Sequence, residues 1–589
     1  MHIWGKSAES SPSRRPLPAL EPGTEYLMTM LKALLLAGTV ALASPFAIFT
    51  QAASAQETVT VAGIETTRIV IAPPKTELAR IIKAGLSSAY AAAEKGTRTY
   101  QQTQKLYFFY GARHFEPLWL SKADDGSIAF SPNAEKIIQV FKDSELEGFR
   151  PSDYLTADLD VAAAGTDPMK LAALETAFST AAIRYAQDAF GGRISPLDVN
   201  KTWTIAPKRI NEAEMLVKLA DSSEPDKLLL ALSPTQPEFL GLKAALAKFY
   251  DGAVMDAAIT IPEGKLLKPG MQDERVTLLR QRLDVPEPDI PETAGAAVTV
   301  DINYDEPLVA AVQAFQESLG LNGDGVIGPA TIAALNGGSA TTKEDIVANM
   351  ERWRWEPNDY GDFQVTVNIP EFRLWIMNKD EVHYTTRVVV GTPKNQTAVF
   401  NDEIEHIVVN PYWNVPSSIA TNEIKPHLIA NPGYLASQNM EMLSGGKVIN
   451  ASAIDWTQTN INRFHIRQRP GAGNALGRVK FLFPNQHDIY LHDTPSKSLF
   501  SRSFRAYSHG CVRVENPMDF ADALLKLEPS LSAETLTASF GDTERWFNLT
   551  TKIPVHISYF TLRVDADGTI RSYGDVYGMN QRLKELLAE

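Results

Sequence analysis

Apolar positions change period twice along the chain. Across residues 168–190, Leu171, Leu174, Phe178, Ala182, Tyr185 and Ala189 recur at three- and four-residue steps, which predicts an amphipathic helix ended by Gly191-Gly192. Residues 75–100 are Ala-rich and read the same way, so a helical domain is expected over 75–262. Phe108-Phe109-Tyr110 and Phe115-Glu116-Pro117-Leu118-Trp119 read as the packing core of that domain. Residues 267–338 form a smaller pattern. Val276, Leu279 and Leu283 predict one helix, Val312, Phe315 and Leu319 a second, and Thr331 to Leu335 a third. A loop is expected over 284–303 and a tight turn at Gly323-Asp324-Gly325-Val326-Ile327-Gly328-Pro329. After a bridging helix over 343–357 the period drops to two. Runs at 363–368, 372–377, 382–390, 404–409 and 555–564 predict a β-rich domain over 363–577, followed by a tail over 578–589. Between 419 and 464 the alternation breaks into helix-like and polar segments, as expected of an insertion that covers a site.

The N-terminal region adds a compartment. Met28-Thr29-Met30-Leu31-Lys32, an apolar run to Phe49 and Ala53-Ser54-Ala55 make a secretory signal over 28–55, with 1–27 an over-long start. The competing reading is an uncleaved membrane anchor. Gly38, Ser44 and Pro45 interrupt the run, whereas a span needs about 20 predominantly apolar residues. Export to the periplasm or cell envelope is therefore expected. A net charge of −14 argues against nucleic acid as a partner, because phosphate binding wants a basic face.

Export sharpens the meaning of the single cysteine. Cys511 is the only one in 589 residues, so it has no intramolecular disulfide partner, and one thiol among scattered histidines is a poor metal site. It lies in Ser508-His509-Gly510-Cys511-Val512-Arg513, nineteen residues after His492 in Tyr490-Leu491-His492-Asp493. A thiol nucleophile needs a base and oxyanion donors. His492 ends a strand-like run over 488–491 and is favoured as the base. His509 either touches the thiol or shapes the turn. Gly510 permits a tight turn that aims backbone amides, its own and that of Cys511, at an oxyanion. Arg513 either holds a substrate carboxylate or makes a structural ion pair, and Tyr507 either lines the pocket or packs.

These segments, with Asn410-Pro411-Tyr412-Trp413-Asn414-Val415-Pro416, Pro470-Gly471, Asn474-Ala475-Leu476-Gly477, Val479-Lys480-Phe481 and Phe483-Pro484-Asn485, resemble the L,D-transpeptidases with a YkuD-type catalytic domain. The likeness is to the large Gram-negative YcbB-like type. Residues 267–338 resemble the three-helix peptidoglycan-binding module through Val309, Val312, Phe315-Gln316, Asp324-Gly325, Ile327-Gly328, Thr331 and Leu335. The resemblance implies an α+β multidomain chain with a helical scaffold domain, a peptidoglycan-binding module and a β-rich catalytic domain carrying an inserted capping subdomain. It implies Cys511 as nucleophile and His492 as proton acceptor and donor, with His509 secondary and Gly510 supplying oxyanion backbone. Arg513, Tyr507, Ser508, Trp413 and Asn414 would contact tetrapeptide stems, donor and acceptor, with no metal and no cofactor. The acyl-enzyme would release D-alanine and pass to a stem amine as a 3→3 cross-link. The alternatives are water, making a carboxypeptidase or endopeptidase, or the amine of an outer-membrane protein. A non-catalytic wall-binding protein is the reading from a different class.

Overall fold

The computed structural model describes residues 56–61, 64–69 and 71–589, except 124–125, 251–260, 263, 284, 287, 289–301, 319–320, 338–340 and 380. It comprises two compact units, 1–70 and 71–589. In the first, Gln56–Val61 pairs antiparallel with Ile64–Ile69. The expected N-terminal extension and signal segment lie outside the described residues.

In the second unit the helical region is built as its periodicity predicts. Pro168–Gly191 is one 24-residue helix whose N-terminal amides are capped by Asp167, while Gly192 takes the conformation at φ +82° that ends it. It packs with Glu77–Ala92, Arg98–Ala112 and Pro132–Lys142 around Phe109, Tyr110, Phe115, Trp119 and Phe178. Buried Glu175 sits among these rings, accepting from the Tyr110 hydroxyl at 2.7 Å and the Leu118 amide at 2.6 Å.

The next segment packs Arg275–Arg282, Glu306–Ser318 and Pro329–Gly337 through Val276, Leu279, Leu308, Val312, Ile332 and Leu335. The Gln316 side chain ties its turn together, accepting from the Gly325 amide at 2.9 Å and donating to Thr331 Oγ1 at 3.1 Å. Much of the expected 284–303 loop lies outside the described residues.

The Lys343–Trp355 helix opens on a capping box between Thr342 and Asp345. Its buried face locks the helical region to the β-rich one. Glu351 accepts from the amides of Arg193 and Ile194 at 2.5 and 2.8 Å. Arg354 pairs with Glu351 at 3.6 Å and lies 4.3 Å from the Phe149 ring centroid. Trp355 meets Trp203 edge-on at 5.2 Å.

Nine strands make the main sheet, in the order Ala506–Ser508, Glu381–Gly391, Val512–Val514, Leu491–His492, Val479–Leu482, Phe400–Val409, Arg545–Ser558, Phe363–Asn368, Arg373–Asn378. Arg373–Asn378 also pairs with Glu381–Gly391, so eight of the strands close into a ring. Its interior is filled by Val365, Leu374, Val388, Ile407, Phe481, Leu491, Val512 and Val555. Two strands depart from expectation. The last long strand starts at Arg545, not 555, and ends at Ser558, with Leu562–Val564 a separate strand. The run before His492 is mostly loop, because Asp488 sits at φ +53° and pairing begins only at Leu491.

The insertion is wider than 419–464. Trp413–Asn414, Met440–Ser444, Lys447–Ile449 and His465–Gln468 form a separate four-stranded sheet. It has its own core of Ile419, Ile424, Leu428, Met442, Trp456 and Ile466.

Candidate active site

Two short parallel strands bring the candidate residues together. Leu491 is level with Val512, and His492 with Arg513. On the other side of the same strand, Lys480 is level with His492. Alternation then sorts the side chains. Leu491, Val512 and Phe481 point into the dry interior at 0% exposure, and Tyr490, His492, Lys480, Cys511 and Arg513 share the opposite face. The sequence spacing of nineteen residues is thus closed by backbone pairing.

His492 is buried, and its Nδ1 hydrogen bonds to the Asp493 carbonyl at 2.5 Å. A carbonyl only accepts, so Nδ1 carries the proton and Nε2 is left with a lone pair. Burial, with the Arg513 cation beside it, lowers the imidazole to about 3. The ring is therefore neutral at pH 7 and able to take a proton.

The Cys511 thiol donates to the Asp488 carbonyl at 3.6 Å. Burial raises it to about 11, opposed by hydrogen bonds from the Tyr490 amide and side chain and by the Arg513 charge. Both partners of the expected pair are accordingly neutral at rest, and among the described residues no hydrogen bond joins Sγ to the His492 ring.

Arg513 and Lys480 give this face its charge. Neither makes an ion pair among the described residues, and Arg513 Nε is buried without a hydrogen-bond partner. Burial lowers the pKa of both; the Cys511 charge acts the other way on Arg513, and the charge of Glu544, then that of Cys511, does so on Lys480. Lys480 Nζ lies 5.8 Å from the Tyr490 ring centroid and 5.5 Å from that of Trp546. The structural ion pair left open for Arg513 is not formed among the described residues. Lys480 and Tyr490 lie within motifs the sequence reading quoted but were not picked out as site residues. Their signal is the two-residue step from His492 to Tyr490 and the antiparallel register opposite His492.

Other expected residues are placed differently. His509 Nε2 meets Glu423 of the insertion at 2.7 Å, and among the described residues no hydrogen bond joins it to the thiol. The Gly510 amide donates to Ser508 Oγ at 3.1 Å, so it is withdrawn from the oxyanion role expected of it. Ser508 is buried and its hydroxyl donates to the Cys511 carbonyl at 2.5 Å, which makes it a brace of the turn. Tyr507 packs against Phe504 at 6.1 Å and under Arg502 at 5.0 Å. Trp413 packs on the insertion's core, and exposed Asn414 meets His465 at 3.0 Å.

Sequence comparison assigns a class to the segment that holds this site. The chain carries an L,D-transpeptidase catalytic domain: the YkuD family model matches residues 362–555. A model described as "Scaffold domain" matches 104–246, and one described as "Putative peptidoglycan binding domain" matches 272–335. Among curated proteins, a Haemophilus influenzae protein named "Putative L,D-transpeptidase" is 33% identical over 260 residues, 43% of this chain. The match spans about half, 52%, of that relative's length. Two solved structures align at low overall similarity. An L,D-transpeptidase from Xylanimonas cellulosilytica has a TM-score of 0.18 at 17% identity, over 50% of this chain and 99% of its own. A fused Zn-dependent amidase/peptidase/peptidoglycan-binding domain-containing protein from Clostridium acetobutylicum has 0.14 at 13%, over 50% and 100%.

Proposed function

We propose that the protein is a cysteine-dependent L,D-transpeptidase of the cell envelope that forms 3→3 cross-links in peptidoglycan. One observation carries this reading: a lone thiol, a neutral imidazole whose Nε2 carries a lone pair, and two cations without ion-pair partners among the described residues share one face of a YkuD-type sheet. Cys511 Sγ attacks the carbonyl of the third stem residue, and the thiol proton passes to His492 Nε2. The bond to the terminal D-alanine breaks, and His492 returns the proton to the leaving amine. A side-chain amine of a second stem then attacks the thioester, giving its proton to His492, and the C–S bond breaks to restore the thiol. Arg513 and Lys480 stabilise negative charge as it develops and hold substrate carboxylate. Release of the same thioester by water or by an outer-membrane protein amine uses the same first half.

Mass spectrometry of products separates these outcomes. Purified disaccharide tetrapeptide should yield 3→3 dimers and free D-alanine, and Cys511→Ala should abolish both. Dimers from the alanine variant would sink the mechanism. Tripeptide without dimers would show water as the acceptor.

A further inference from the structure

The hydrogen bonds around Gly510 lead outside the catalytic motif. The Gly510 carbonyl accepts from Thr397 Oγ1 at 2.7 Å. Thr397 is fully buried, just after the turn that follows the Glu381–Gly391 strand. Its hydroxyl accepts from the Gly391 amide at 2.9 Å. Its own amide donates to the Tyr577 hydroxyl at 3.2 Å, and that hydroxyl donates to the Gly391 carbonyl at 2.8 Å. The ring of bonds is closed and fully assigned, so the Thr397 hydroxyl has a single acceptor to serve, the Gly510 oxygen. Gly391 cannot be replaced, because a Cβ there would lie 2.1 Å from the Asn395 carbonyl oxygen.

A trans peptide is planar, with its C=O and N–H pointing in opposite directions. Holding the Gly510 oxygen toward buried Thr397 therefore aims the Cys511 N–H the other way. That amide makes no hydrogen bond among the described residues, whereas its neighbour on Gly510 is spent on Ser508. Gly510 reaches this arrangement at φ +120°, which L side chains rarely adopt. We propose that Thr397 is a positioning residue that fixes the Gly510–Cys511 peptide plane and so presents the Cys511 amide to the developing oxyanion. The proposal rests on the thioacyl reading above and names a part of its machinery supplied from 114 residues away in sequence.

Two reagents separate this role from a merely structural one. A carbapenem acylates the thiol through a tetrahedral oxyanion: the S–C bond forms, the lactam C–N bond breaks and the thiol proton ends on the lactam nitrogen. Iodoacetamide alkylates the same sulfur by displacing iodide, with no oxyanion. In the full chain, Thr397→Val should slow carbapenem acylation about 100-fold, the scale of one lost oxyanion donor, and leave alkylation within about threefold. Thr397→Ser keeps the hydroxyl and should restore acylation. Equal losses with both reagents, or no loss with either, would overturn the proposal. Should Thr397→Val not fold, Tyr577→Phe carries the same comparison, with selective loss supporting the role and equal rates overturning it. A wild-type chain that takes iodoacetamide on Cys511 but no carbapenem would overturn the thioacyl reading itself, and the proposal with it.

Discussion

At the scale of single residues, the site rests as a neutral pair. With the thiol pushed up to about 11 and the imidazole down to about 3, a thiolate–imidazolium pair is the minor form at neutral pH. The thiol proton must then move as the acyl carbon is attacked, which makes His492 a general base. Alkylation of Cys511 by iodoacetamide, followed by intact mass, should accelerate roughly tenfold per pH unit between pH 7 and 9, since the thiolate fraction rises by that factor below the thiol's pKa. A plateau below pH 8 would indicate a preformed ion pair. Cys511, His492 and Arg513 were legible because the types and spacing are chemically demanding. Lys480 was not, because a single lysine in an alternating strand looks like any solvent-facing position until the register sets it opposite His492.

At the scale of elements, the nucleophile turn is gripped from both sides. Thr397 holds it from the loop between Glu381–Gly391 and Phe400–Val409, and Glu423 reaches it from the insertion through His509. Glu423 lies in a π-helical turn, Ala420–Ile424, an irregularity often found at functional positions. The exposed His509–Glu423 contact is the described link between the insertion and the nucleophile turn. Glu423→Ala should therefore speed amide hydrogen exchange in residues 417–430 while the Phe400–Val409 strand keeps its protection, as measured by mass spectrometry. Unchanged exchange in that segment would show that the contact does not hold the insertion. Periodicity marked the strands that are buried on one face. It missed the first ten residues of Arg545–Ser558, where Phe547 and Leu549 alternate toward the core but Thr550, Thr551 and Lys552 are exposed and the register shifts between Asn548 and Ile553, which breaks the period. The Gly510 amide was misjudged for a different reason. Which carbonyl or hydroxyl takes a given N–H is decided by Ser508 and Thr397, one local and one remote, and no spacing rule encodes the remote one.

At the scale of the molecule, the 272–335 segment matched to the peptidoglycan-binding model predicts tethering. A polymer-bound enzyme meets its next stem at raised effective concentration. Deleting residues 267–338 should lower the rate of product formation on intact sacculi more than on soluble muropeptide, compared by chromatography of digests. Equal losses on both would exclude tethering. Domain order was legible from the changes of period, but the seams between domains were not, because a buried interface residue carries the same apolar signature as a core residue. Trp203 shows the difficulty: it belongs in sequence to the helical region, yet it lies at 1% exposure within the hydrophobic core of the β-rich domain, bridged to Val399 and edge-on to Trp355.

That indole has a practical consequence. The segment matched to the catalytic family begins at residue 362, so a fragment cut there leaves behind Val199, Trp203, Ile205, Ala348 and Trp355 and strips one side of this core, including the indole bridged to Val399, two residues from Thr397. Trp203→Ala in the full chain reproduces that loss at one point and should cost about 3–5 kcal/mol in urea unfolding. The catalytic domain, by this measure, ends where its packing ends: it includes an indole borrowed from 159 residues before its own first residue.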